Sequence, residues 1–302
     1  MEEYPEIFEQ HRPTLIGLAY RMLGTVTEAQ DVVQDCYLKW MQADQETIRN
    51  PRSWLLAVCS RLTLDILKSA RVQRETYYGV WLPEPFVDDR VVSPETTAEI
   101  DETVAVALLL ALEQLSPEER TTFLLSEVFD YSFDEIAAIL NKSPAACRQL
   151  GTRARTRIHK AKPRFHATAE EHRRLTDAFL QAARSGDLSR LTALLASSVE
   201  LHADGGGKAQ AVPAVLQGAN TVATFFVRIW DADPNNAETT TFVPRWFNGA
   251  PGLLIYEAGR LVTALTLAVA EGAIHRIYAI RNPDKLASID SDRTHARPPD
   301  TP

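Results

Sequence analysis

The chain has 302 residues, 45% apolar and 24% charged, proportions that suit a globular protein of two or three domains. Its net charge of −8 argues at first against a nucleic-acid partner, and no run approaches the roughly 18 uncharged apolar residues of a membrane span. The acidic start Met1-Glu2-Glu3-Tyr4-Pro5-Glu6 does not read as a signal peptide, and Cys36, Cys59 and Cys147 are scattered through apolar helical patterns. They are expected as reduced core thiols of a cytoplasmic protein, with no disulfide framework, no metal site and no cofactor.

Residues 1–78 read as helices. Thr27-Glu28-Ala29-Gln30 has the form of a capping box, and apolar residues then recur at Ala29, Val32, Val33, Cys36, Tyr37 and Trp40. That spacing leaves Asp31, Gln34, Asp35 and Lys39 on the opposite face. Asn50-Pro51 is an N-cap followed by a first-turn proline, and Leu55, Val58, Cys59, Leu62 and Ile66 continue with helical spacing. The same helix carries a basic island of Arg49, Arg52, Arg61, Lys68, Arg71 and Arg74 against the single acid Asp65. Residues 79–102 form a linker: Trp81-Leu82-Pro83-Glu84-Pro85 cannot be helical, and its apolar residues predict that it docks on something.

Helices resume and run to about 165. Phe133, Ile136, Ala137 and Leu140 make one buried stripe, Asn141-Lys142 breaks it, and Ser143-Pro144 starts a second, with Cys147, Leu150, Ala154 and Ile158. Two short helices joined by a tight turn, the second strongly basic, form a helix-turn-helix. Residues 136–169 contain no acid at all. Screening limits the reach of charge to roughly 8–10 Å at physiological salt, so local cation density outweighs the negative total and predicts nucleic-acid contacts at both islands. Arg148, Gln149 and Arg153 are placed to meet base edges; Arg157 and Lys160 suit phosphates. Beyond 170 two short helices precede the alternating strand Val199–Asp204, a turn at Gly205-Gly206-Gly207-Lys208, a helix with Val222, Phe225, Phe226 and Ile229, and strands over 239–247, 253–257, 261–269 and 273–280. This α+β pattern predicts a curved sheet against helices over 170–288, followed by a disordered tail, 289–302.

The ordered set Asp31-Val32-Val33-Gln34-Asp35 with Trp40, Asn50-Pro51-Arg52-Ser53-Trp54-Leu55, and Leu115-Ser116-Pro117-Glu118-Glu119-Arg120 before the helix-turn-helix resembles an extracytoplasmic-function sigma factor. The match covers regions 2 (1–78) and 4 (103–165). The remainder resembles a SnoaL-like domain. Trp81–Pro85, Asp204–Lys208 and Asn282-Pro283-Asp284-Lys285-Leu286 resemble the signatures of sigma factors with such a domain fused behind them. The resemblance implies a multidomain fold: all-α regions 2 and 4, then an α+β SnoaL-like cone. It also implies RNA polymerase core (the β′ clamp and β flap) and promoter DNA as partners. Asp31, Gln34, Asp35 and Leu38 would dock on the polymerase, and Arg52, Trp54, Arg61, Lys68 and Arg71 would hold the −10 element. Arg148, Gln149, Arg153, Arg157 and Lys160 would serve the −35 element.

No residue is assigned a catalytic role. His202 and Asp204 share one face of a strand, His275 lies on a later one, and the glycine triplet lacks the spacing and the Lys-Ser/Thr ending of a phosphate-binding loop. Two readings stand. In one, Trp81, Leu82 and Pro83 meet Asp204, Gly205, Gly206, Gly207 and Lys208, and Asn282, Pro283, Asp284 and Lys285, so that the domain regulates its own sigma factor. In the other it binds or converts a small molecule.

Overall fold

The chain folds in two units, Met1–Thr76 with Ala107–Pro163 and Tyr77–Val106 with Arg164–Pro302. The computed structural model describes residues 3–74, 77–87, 105–161, 167–231 and 239–292. Among them no helix is long and apolar enough to cross a membrane.

In the first unit α1 (Glu3–Leu23), α2 (Val26–Gln42) and α3 (Pro51–Arg74) bury Phe8, Leu15, Leu18, Val33, Cys36, Trp40, Leu55 and Cys59. The α2 cap lies two residues before the expected one. Gly24 closes α1 at φ 75°, Thr25 is extended, and its hydroxyl meets the Glu28 carboxylate. Asn50 does cap α3, its Oδ1 accepting from the Ser53 N–H at 3.1 Å. The buried stripe of α3 is wider than expected and rotated from it. Leu56, Ser60, Thr63, Leu64 and Leu67 are buried, whereas Val58, Leu62 and Ile66 are half-buried. The reason is that α3 contacts α1 and α2, and also α5 and α6. Ser60 and Thr63 are tolerated there because their hydroxyls donate to the carbonyls of Leu56 and Cys59, at 2.7 and 2.9 Å.

The second half of this unit comprises α4 (Val106–Glu113), α5 (Pro117–Glu127), α6 (Phe133–Leu140) and α7 (Pro144–Ala161). Ser116 with Glu119 and Ser132 with Glu135 form reciprocal capping boxes, each satisfying two orphan N–H groups. Asn141 ends α6 in the left-handed region at φ 52°, making the tight turn before Ser143. Regions 2 and 4, read from sequence as separate domains, here group into one unit. Arg120 of α5, 3% exposed, is a strut within it, with Nη1 donating to the Met22 carbonyl at 2.5 Å and Nε to the Leu112 carbonyl at 3.0 Å.

The second unit starts with α8 (Ala169–Arg184), α9 (Leu188–Leu194), β1 (Leu195–Asp204), β2 (Leu216–Gln217) and α10 (Ala219–Asp231). It continues with β3 (Thr240–Phe247), β4 (Ala250–Glu257), β5 (Arg260–Ala270), β6 (Ala273–Ile280) and α11 (Pro283–Asp292). The sheet order is β2-β1-β6-β5-β4-β3, with β1 parallel to β6 and every other pair antiparallel. The hairpins turn at Asn248-Gly249, Ala258-Gly259 and Glu271-Gly272, all six residues at positive φ, the tight-turn geometry that matches strand twist. One sheet face covers α8 and α10 through Phe179, Val222, Leu265 and Ile277. The domain does not end at 288, because α11 runs to Asp292 with Ile289 buried; 293–302 lie outside the described residues. Of the expected linker 79–102, residues up to 87 are described and belong to this unit.

Candidate functional site

On α2 the residues Asp31, Gln34, Asp35 and Leu38 are all exposed, opposite Val32, Val33, Cys36 and Trp40. Leu38 is 49% and the neighbouring Met41 46% exposed, an apolar centre in an acidic surround. The inward face holds a thiol pair. A hydrogen bond to Cys36 and burial push the Cys59 thiol well up, so Cys59 stays protonated.

The two basic islands are unequal in freedom. On α3, Arg52 and Lys68 are exposed. Arg61 donates to the carbonyls of Ala138 and Ile139 at 3.4 Å, near the α6 C-terminus where cations are favoured. Trp54 is half-buried, its ring tilted 59° against Trp40 at 5.6 Å, so it forms part of the core edge. The Arg71 side chain lies outside the described residues. On α7, Arg148, Gln149 and Lys160 are exposed. Arg153 and Arg157 are held by Glu119, at 3.3 and 2.6 Å, while the same carboxylate caps the Ser116 N–H. Glu119 is 3% exposed. The capping box of Glu119 is legible in sequence, but its pairing with a helix about 35 residues on is a tertiary event.

The second unit carries a polar cluster at the end of β1. The last residue of that strand, Asp204, is completely buried. Its Oδ1 accepts from the Tyr77 hydroxyl at 2.6 Å and the Gly206 N–H at 3.0 Å. Its Oδ2 accepts from the Leu82 N–H at 2.9 Å and Lys285 Nζ at 2.7 Å. Lys285 also donates to the Leu82 carbonyl at 2.5 Å and lies over the Trp81 ring, 4.5 Å from its centroid. Asn282 donates to the Tyr77 hydroxyl at 2.9 Å. Burial and the Asp204 carboxylate push the Tyr77 phenol far up, so it remains a donor. Leu82, Pro83, Glu84 and Pro85 are buried, and the Phe86 carbonyl accepts from the Asn248 N–H at 2.8 Å. The triplet is steric in origin. A Cβ on Gly205 would lie 2.2 Å from the Ala209 carbonyl oxygen, and one on Gly206 2.2 Å from Asn282 Nδ2. Lys208 pairs with Asp284 at the rim. The three motifs far apart in sequence are one site.

A family model of sigma-70 region 2 matches residues 7–72, and one of sigma-70 region 4 matches residues 105–158. The ECF RNA polymerase sigma factor SigJ of Mycobacterium tuberculosis is 34% identical over 302 residues, covering 96% of each chain. The chain belongs to the ECF RNA polymerase sigma factors. It directs RNA polymerase to particular promoters and initiates transcription there. The Probable ECF RNA polymerase sigma factor SigI of the same organism is 32% identical, over 93% of this chain and 94% of that one. The crystal structure of SigJ matches with a TM-score of 0.74 at 31% identity, over 93% of this chain and 97% of that one. Both comparisons extend through the α+β unit, so that unit belongs to the sigma factor's shared architecture.

Two of the residues considered for acid–base chemistry, His202 and Asp204, do not line the cavity of the α+β unit in this sigma factor. Leu201 and Ala203 line the cavity under α10, so by strand alternation His202 and Asp204 face away from it. His202 binds Glu200 at 3.1 Å, and burial pulls its pKa below the ordinary value. Asp204 is fully engaged by donors that orient the linker.

Proposed function

We propose that this sigma factor acts in the cytoplasm, without a catalytic site of its own, and that its α+β unit sets its activity by gripping the segment between regions 2 and 4. The observation that carries this reading is Asp204, whose buried carboxylate takes donors from the linker at Tyr77 and Leu82 and from its own unit at Gly206 and Lys285. A buried carboxylate so engaged is costly to strip of its partners, so release of the linker is a discrete event with two states. The exposed face of Asp31, Gln34, Asp35 and Leu38 is the docking surface for the β′ clamp, and region 4 meets the β flap. Arg52, Lys68 and Arg71 track the −10 strand, with Trp54 as a stacking edge and Arg61 available once it leaves the α6 carbonyls. Arg148, Gln149 and Arg153 read the −35 element, with Arg157 and Lys160 on phosphates.

Transcription from a cognate promoter tests the regulatory part. Three proteins are compared at equal folded concentration: the full chain, a chain ending at Lys162 and a chain ending at Arg281. The first truncation removes the unit and the second removes Asn282 and Lys285. Three different activities are expected, and equal activity in all three leaves the α+β unit without a regulatory role.

A further inference from the structure

Between α10 and the concave face of the sheet lies a cavity of about 460 Å³. Interiors are ordinarily filled to crystal-like density, and voids much larger than a water are rare. Phe225, Phe226 and Ile229 form its roof and Ile255 and Leu265 its floor, an apolar lining of the size and kind that holds small molecules. Two charged groups break that lining. Arg281 is anchored through Nη1, which donates to the Gln210 carbonyl at 2.7 Å. Its Nε is buried and meets no acceptor among the described residues. Glu257, half-buried at the end of β4, also lines the cavity.

A buried guanidinium nitrogen without a partner is uncommon in a folded protein. The Nε edge of a guanidinium is the one that grips a carboxylate with two parallel bonds, and the Gln210 carbonyl holds the opposite side in place. Glu257 accepts only, so what it recognises is a donor. The cavity therefore combines a fixed cation, an apolar body and a separate acceptor.

We propose that this cavity is a binding site for an amphipathic organic acid, whose carboxylate sits on Arg281, whose apolar body lies under Phe225 and Phe226, and whose distal hydroxyl or amine donates to Glu257. The site stands on the cavity alone and does not depend on the linker grip. A neutral molecule of the same shape leaves the Arg281 Nε unmet, and an acid without a distal donor leaves Glu257 unmet, so each loses affinity against the matched ligand.

Isothermal titration of the full-length protein with 10-hydroxydecanoate, decanoate and decan-1-ol tests this directly. The expected order is 10-hydroxydecanoate tightest and decan-1-ol weakest, with decanoate bound about tenfold or more tightly than the alcohol, as expected when a charge-assisted bond is lost. Arg281→Met is expected to erase the difference between acid and alcohol while keeping a native melt, and Glu257→Gln to shrink the advantage of the hydroxylated acid. Equal affinity for decanoate and decan-1-ol in the unmodified protein overturns the proposal without recourse to any variant. So does failure of all three to bind at millimolar concentration, which makes the cavity a water-filled void. An unchanged acid preference in a folded Arg281→Met protein places the binding elsewhere and also overturns it.

Discussion

Asp204 ends β1 in a place where a charge loses all of its hydration, and burial of that kind is tolerable only when donors replace the water. Tyr77, Leu82, Gly206 and Lys285 supply them. The sequence Asp204-Gly205-Gly206-Gly207-Lys208 announced a tight turn, and the bare glycines announced a close approach, but the approaching groups lie about 80 or more residues away and carry no local signal. His172 is a second buried polar residue, with its Nε2 on the Leu267 carbonyl at 2.8 Å, and burial depresses its pKa below the model-peptide 6.5. Below that value the unfolded chain takes up the proton before the folded one does. Stability is therefore complete above about pH 6.5 and falls as pH drops toward the lower folded value. His172→Gln, which keeps a donor for Leu267, is expected to reduce the loss of urea resistance of this unit between about pH 7.5 and 5. His202, depressed for the same reason, keeps part of the slope. An unchanged slope would show that His172 contributes nothing to it.

At the scale of elements, the helices were legible where their ends were written in the sequence. Asn50-Pro51 and Ser143-Pro144 mark real starts, whereas Thr27-x-x-Gln30 does not, because Gly24 ends α1 and Thr25 caps α2. Period-two patterning placed β3 to β6 within a few residues. The buried face of α3 was not legible, because a helix contacted on two sides has no single stripe; Ile139 of α6 is buried for the same reason. Nor does charge density reveal which cations are committed: Arg153, Arg155 and Arg157 all look free in the sequence, yet Glu119 and Glu127 hold them. From this follows an ordering along α7. Arg148→Ala or Gln149→Ala is expected to cost about 1–3 kcal/mol of preference for the cognate −35 element. Lys160→Ala instead weakens binding to all duplexes and lowers the salt slope by about 1. Fluorescence anisotropy on cognate and random duplexes across salt separates the two classes, and equal losses for Arg148→Ala on both duplexes count against base reading. On α2, Asp35→Arg puts a cation in the centre of the exposed acidic face and touches no buried residue. Loss of core polymerase in a pull-down with an unchanged circular-dichroism melt is expected; retained binding rejects that face as the docking surface.

At the scale of the molecule, the distinctive fact is that Tyr77 to Val87, the described stretch of chain after region 2, belongs to the α+β unit, with Leu82 to Pro85 buried in it. Regions 2 and 4 are on either side of that segment in sequence, so whatever frees it changes the length of chain available between them. The segment Leu82–Pro85, with its two prolines, loses little conformational freedom when it docks, which lets a few polar bonds hold it. The three signatures mark its components: Trp81–Pro85 is what is held, Asp204–Lys208 is the turn that holds it, and Asn282–Leu286 closes the site. Amide hydrogen exchange at Leu82 tests this most directly, because that N–H donates to the Asp204 carboxylate and has no place in a free linker. The account predicts slow exchange at Leu82 in the full chain, and exchange approaching the unstructured rate in Asp204→Ala with β5 and β6 still protected. Unstructured exchange at Leu82 in the unmodified protein, or equal protection in both, would contradict it.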